Sequence, residues 1–269
     1  KAYGAFDHSE FQLTQESIDV VEGVPFGLNN SNFYANTSWS QRLPNKWKLW
    51  LGGSYTYARN KVGIFTNQVA NAEHSAHAKA SVGKSLNNRW KFQMGIEQFL
   101  TEFSETFASE DVNLSYGFSN PVTASFVETD YRFSKRWAVN LGLRGTYYGR
   151  SDTWKLAPRV ATAIKIGDKG QVSAAFGQFY QQPTQEVLKF SSELAPRQAN
   201  HYILNYQYVK NNRILRAELF RKTYENLVTY PAEEPQPGLP YRNAGSGYAQ
   251  GFDLFWRDET SVKNLDYWV

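Results

Sequence analysis

Trp90-Lys91-Phe92-Gln93-Met94-Gly95-Ile96-Glu97 is the stretch on which the reading of this chain turns. Large apolar side chains fall on every second residue, and polar or small ones fill the gaps. Side chains of an extended chain point alternately to opposite faces, so this run has one apolar and one polar face and reads as a β-strand. The same period returns in Trp137, Val139, Leu141 and Leu143, which interleave with Ala138, Asn140, Gly142 and Arg144. It returns again from Leu156 to Ile166 and from Gln171 to Phe176. No stretch of helical period stands out.

Extending the pattern gives thirteen strands, near 1–18, 32–41, 46–59, 73–84, 89–101, 121–133, 137–149, 156–166, 170–181, 199–209, 213–229, 249–258 and 265–269. Most have the ~9–11 residues, or slightly more, that a tilted membrane-crossing strand needs. The connections alternate. Short ones, such as Arg42-Leu43-Pro44-Asn45, Ser85-Leu86-Asn87-Asn88, Ser134-Lys135-Arg136, Gly167-Asp168-Lys169 and Lys210-Asn211-Asn212, carry the Gly, Asn, Asp and Pro that tight turns require. Between them the pattern predicts longer loops at 19–31, 60–72, 102–120, 182–198 and 230–248, with 150–155 as a shorter exception. Asn243-Ala244-Gly245-Ser246-Gly247 reads as a loop tip, and the Pro-rich run Pro231–Pro240 as an extended outer loop. Tight turns at every second connection belong to up-and-down barrels with short turns at one end and long loops at the other. The expected fold is therefore all-β: an antiparallel up-and-down transmembrane β-barrel, with about 12–13 strands in this chain.

Composition agrees. Aromatic residues make up 16% of the chain, with 8 Trp, 17 Tyr and 18 Phe. Trp39, Trp47, Trp90, Trp137, Tyr131, Phe133, Tyr206, Tyr208 and Trp256 all lie within a few residues of a short turn. Amphipathic rings collect at the membrane–water interface, which predicts a girdle at that end. No stretch approaches the ~18 apolar residues of a membrane helix. With no Cys, disulfides, thiol catalysis and cysteine-bound zinc are excluded. Lys and Arg are scattered singly, without the basic tract of a nucleic-acid binder.

Charges on the other face, Glu128, Asp130, Arg132, Arg144, Arg159, Lys165, Arg216 and Glu218, would be costly in a dry core but suit a wet or plugged lumen. Glu128 and Asp130 share one face, as an acid–base pair would, yet pairing with Arg132, Arg144 or a plug accounts for them better. His74 and His77 stand three residues apart on a strand, so their rings diverge and a metal site is not expected. His8 and His201 have no partner motif. Asn36-Thr37-Ser38 has the form of a glycosylation acceptor, which a bacterial strand gives no use for. No catalytic residue, metal or cofactor is expected.

Four short segments carry a family resemblance. Leu156-Ala157-Pro158-Arg159-Val160 opens a strand on Pro-Arg. Ala175-Phe176-Gly177-Gln178-Phe179-Tyr180-Gln181-Gln182-Pro183 has the form Gly-x-x-Tyr-x-x-Pro. Glu218 to Leu227 has the form Glu-x-Phe-x-Lys-x-Tyr-x-Asn-Leu. Asn243-Ala244-Gly245 precedes Gly251-Phe252-Asp253-Leu254, with Asp253 where Glu is usual. In this order the segments resemble the barrel of TonB-dependent receptors, of a Bacteroidetes-like style. The resemblance implies a barrel of about 22 strands, with residues 1–269 as part of that one domain and the plug and remaining strands outside this chain. It implies energy-coupled uptake of a scarce nutrient (a siderophore, cobalamin-like compound, glycan or peptide) across the bacterial outer membrane. The partners would be the plug, the missing strands, the TonB complex acting through the plug, and outer-membrane lipid. Glu128, Asp130, Arg144, Arg159, Arg216 and Glu218 are the expected lumen or plug-facing residues; Tyr116, Phe118 and Arg197 are the expected ligand contacts on loops 102–120 and 182–198. The alternatives are a passive porin or adhesin barrel and a barrel hydrolase relying on His77 or His201.

Overall fold

The computed structural model describes residues 1–16 and 21–269. Thirteen strands form one antiparallel sheet in strict sequence order: β1 (Ala2–Gln15), β2 (Val24–Arg42), β3 (Trp47–Ile64), β4 (Asn67–Ser85), β5 (Trp90–Ala108), β6 (Asn113–Arg132), β7 (Trp137–Tyr148), β8 (Thr153–Ile166), β9 (Gly170–Gln181), β10 (Arg197–Lys210), β11 (Arg213–Thr229), β12 (Arg242–Asp258) and β13 (Tyr267–Trp268). Each pairs only with its sequence neighbours, the up-and-down topology expected. The end of the first predicted strand, residues 17 and 18, lies outside the described residues.

The pairing register fixes the faces. Glu97 stands opposite Lys79 on β4 and Ala124 on β6; Met94 stands opposite Val82 and Val127. One face thus carries Trp90, Met94, Ile96, Val127, Leu141, Leu143, Leu156 and Ile164, all exposed apolar groups. From Trp90 to Leu100 the strand rises ~33 Å, or ~25 Å vertically once tilted by ~40°, the height of a membrane-facing apolar band. The rings form their girdle at the short-turn end. Trp47 meets Phe92 at 5.6 Å, Trp90 meets Tyr131 at 6.2 Å, Tyr131 meets Phe133 at 4.7 Å, and Phe133 stacks on Trp137 at 4.3 Å. Both indoles reach a neighbouring strand: Trp90 Nε1 donates to Thr129 Oγ1 and Trp137 Nε1 to Thr162 Oγ1.

Three expected long loops are largely strand: of segment 19–31, residues 24–31 belong to β2. Segment 60–72 is mostly strand, closed by a turn at Phe65 and Thr66, and 102–120 is strand apart from residues 109–112. Their lower hydropathy has a physical cause. Past Leu100 the outward face of β5 becomes polar at Glu102, Ser104 and Thr106, while the inward face becomes aromatic at Phe103 and Phe107. The strand leaves hydrocarbon and continues in water, so the apolar pattern changes face while the backbone ladder continues. Segment 243–247, expected to be a loop tip, is likewise the start of β12. The connection at 150–155 shrinks to 149–152.

The sheet is rolled. The connection after β9 carries a single helical turn, α1 (Gln185–Leu188), and touches Glu73 on β4 at one end and Asn243 on β12 at the other. In a flat sheet those strands lie eight spacings apart, ~38 Å. Ten residues that include a helical turn cannot reach that far. The inner face is therefore concave, and this segment crosses it.

Candidate functional site

The concave face has two storeys. The lower one, beside the short turns, is polar. Glu128 and Asp130 do share a face, standing opposite Gln93 and Lys91. Asn140 donates to Asp130 Oδ1 at 2.8 Å. Arg144, expected to offset these carboxylates, goes elsewhere: it pairs with Glu97 at 2.7 Å, and Lys79 pairs with the same carboxylate at 2.5 Å. The reason is register, since Arg144 lies opposite Phe126 on β6, which in turn lies opposite Gly95, two residues from Glu97 on β5. Glu97 is 7% exposed, and Lys79 also rests 4.8 Å from the Phe126 ring. Sequence reasoning misses Glu97 and Lys79 as site residues, although the alternation already places Glu97 on the polar face. Arg159 lies 4.6 Å over the Phe179 ring, Glu218 accepts from Asn205, and Arg216 stands opposite Gln207 and Phe255. All six expected lumen positions thus face the concave side. A hollow of about 340 Å³ lies there, lined in part by Lys91, Asp130, Arg132 and Asn140.

The upper storey is occupied by residues 182–196, which fold inward as a strap. Its own Val187, Leu188, Leu194 and Pro196 are buried, as are Phe103 on β5 and Tyr148 on β7. Its polar anchors are specific. Gln182 and Asn120 exchange amide hydrogen bonds at 2.8 and 2.9 Å. Arg150 donates to Leu188 O at 2.6 Å and lies 4.0 Å over the Phe118 ring. Lys189 pairs with Glu105 and Glu186, each at 2.6 Å. Burial acts to lower the Lys189 pKa, but the two carboxylates outweigh it and hold the value above that of an ordinary lysine. Asn243 accepts from Ala195 N and donates to Ala195 O and Asn226 O. Asn226 takes φ +58° at a bulge in β11, which frees its carbonyl for that bond.

Tyr116 and Phe118 therefore stand on β6, not on a loop, and face the strap: Phe190 packs edge-on to Tyr116 at 5.1 Å. Arg197 is the first residue of β10 and closes the strap. His74 and His77 point to opposite faces as expected; His77 stacks on Phe99 at 4.0 Å and His74 bonds Tyr55. Among the described residues no group of three His, Cys, Asp or Glu could hold a metal ion.

A lipid-facing belt around a charged concave wall is the geometry on which comparison with known proteins bears. The family model for the TonB-dependent receptor-like β-barrel matches residues 2–268. The chain belongs to that family. No curated protein sequence matches it significantly. Among solved structures, this receptor barrel is similar to the alcaligin outer membrane receptor FauA from Bordetella pertussis, at 13% identity and a TM-score of 0.70 over 98% of this chain and 48% of that one. It is similar to the outer membrane transporter YddB from Escherichia coli, at 9% identity and a TM-score of 0.79, covering 98% and 44%. It also resembles the siderophore receptor PirA from Acinetobacter baumannii, at 10% identity and a TM-score of 0.71, covering 97% and 48%. The receptor barrel thus spans a little under half the length of these proteins.

Proposed function

We propose that this chain is wall from the barrel of an outer-membrane receptor that takes up a scarce nutrient by energy coupling, with no covalent catalysis of its own. The observation that carries the reading is the two-storey concave face behind a lipid-facing belt. Charged groups below, including Glu97 held between Lys79 and Arg144, suit a polar filling of the lumen, and an aromatic, strapped storey above suits a restricted mouth. Glu128, Asp130, Arg144, Arg159, Arg216 and Glu218 are offered as the surface facing a plug domain, through which the TonB complex would act. Tyr116, Phe118 and Arg197 are offered as ligand contacts beside the strap. Structural neighbours are named as siderophore receptors, as a ferric enterobactin receptor and, in two cases, as the RagAB peptide importer or transporter. A siderophore or a peptide therefore heads the candidates, with cobalamin-like compounds and glycans after them, and a Bacteroidetes-type source is part of this reading.

The test is uptake by cells carrying or lacking the receptor, with ferric siderophores, cobalamin, oligosaccharides and peptides offered in turn. Accumulation of one class should need both the receptor and TonB. Uptake that continues without TonB would favour a passive porin, and ester or peptide hydrolysis abolished by His77→Ala or His201→Ala would favour an enzyme.

A further inference from the structure

The Lys and Arg residues that look scattered in sequence are gathered by the topology. The turns after β2, β4, β6 and β8 place Lys46, Arg89, Lys135, Arg136 and Lys169 along one rim, all exposed. None of these five makes an ion pair among the described residues. Of the acids at this end, Asp258 pairs with Arg213, Glu259 and Asp266 are committed to Arg257 at 2.5 and 2.6 Å, and Asp130 accepts from Asn140 on the concave face, which leaves Asp168 beside Lys169. The opposite end has the reverse balance, with Glu110, Asp111, Glu233 and Glu234 in its connections.

The rim continues directly from the ring girdle. Arg89 precedes Trp90 and Arg136 precedes Trp137, and Lys84 on the lipid-facing side of β4 lies 5.1 Å over the Trp47 ring. Indoles of such a belt sit at headgroup depth, so charges one residue further along the chain sit at the level of lipid phosphates. Basic clusters there attract anionic lipid.

We propose that this rim is a docking surface for anionic phospholipid headgroups. The proposal rests on the membrane-barrel reading. The phosphates of the leaflet at the short-turn end would neutralise Lys46, Arg89, Lys135, Arg136 and Lys169, tying the barrel to that leaflet and fixing its depth.

The experiment uses the purified full-length receptor in detergent, equilibrated with mixed micelles holding equal phosphatidylglycerol and phosphatidylcholine. Retained lipid is counted by native mass spectrometry. Phosphatidylglycerol should be retained preferentially, with each rim charge adding on the order of fivefold. A variant with Lys46→Gln, Arg89→Gln, Lys135→Gln, Arg136→Gln and Lys169→Gln should lose the preference while keeping the heat-modifiable gel migration of a folded barrel. Glu110→Gln with Glu233→Gln should keep it. Equal retention of both lipids by the parent, or an undiminished preference in the rim variant, would overturn the proposal. Displacement of the lipid by inorganic phosphate would overturn it in favour of a free-anion site. A protein that shows no heat-modifiable barrel in micelles would sink the membrane reading itself, which separates the two failures.

Discussion

At the residue scale, Lys189 is a buried charge that ties the strap to the wall. Its side chain and that of Glu105 are each 8% exposed. Removing one partner of such a buried pair leaves the other charge without compensation, which costs about 3–5 kcal/mol. Lys189→Met should therefore loosen the strap, seen as faster hydrogen exchange and earlier proteolysis across 182–196. Adding Glu105→Gln should restore much of the protection. The pH dependence has a definite sign. Because the folded-state pKa of Lys189 is raised, its contribution is fully present below the unfolded lysine value and is lost as pH rises through the higher folded value. Strap protection should accordingly fall only in strong alkali, and Lys189→Met should flatten that fall. Asp258 behaves oppositely. Burial acts to raise its pKa, but hydrogen bonds from Ser261 and Thr260 and the charge of Arg213 together hold it well below the usual carboxylate range. What it contributes to the β12–β13 turn is present at neutral pH and lost only in strong acid, and Asp258→Asn should remove that acid sensitivity in an unfolding titration.

Strands and their junctions obey a second logic. Inward-facing glycines are covered by rings from the same or the adjoining strand: Phe126 over Gly95, Phe220 over Gly251, Trp50 over Gly52. A Cβ on Gly95 would fall 2.6 Å from Ala80 O and 2.7 Å from the Phe126 ring, with backbone on one side that cannot move aside cheaply. Gly95→Val should destabilise the folded barrel by about 1–3 kcal/mol, measured by urea unfolding in detergent. The turns follow backbone chemistry. Asn211 and Asn212, at φ +47° and +57°, close the two-residue hairpin between β10 and β11 in the left-handed region that Asn tolerates. That turn is legible in the sequence because only a few residue types accept such angles. The strap is not. Its anchors come from β4, β5, β6, β12 and the 149–152 turn, and each is an ordinary Glu, Asn or Arg whose partner lies tens of residues away. Asn226 and Asn243 stand out in the sequence as parts of a family resemblance, but their shared task of holding Ala195 appears only once β11 and β12 are paired.

For the whole molecule, the decisive distinction is between the lipid-facing and concave surfaces. Leu141 is 49% exposed on the apolar belt, whereas Ala161, opposite Asn140, faces the concave side. An arginine on the lipid face near mid-depth costs about 2–4 kcal/mol. Leu141→Arg should therefore slow or abolish folding of the receptor into phospholipid vesicles, while Ala161→Arg should fold nearly as well as the parent. Equal behaviour of the two variants would count against this orientation of the wall in the membrane.

The sequence by itself determined the strand order, the lipid-facing side and the short-turn girdle. These follow from a period of two and from turn residues, both properties of near neighbours in the chain. It misplaced the upper limits of β2 to β6 and of β12, because a strand that leaves the membrane exchanges its apolar face while its hydrogen bonds continue. Only the tertiary structure decided that Arg144 serves Glu97 and that Tyr116 lies under a strap. It also gathered isolated lysines and arginines onto one rim. Those outcomes depend on register and on the rolling of the sheet, which bring together groups that no local pattern relates.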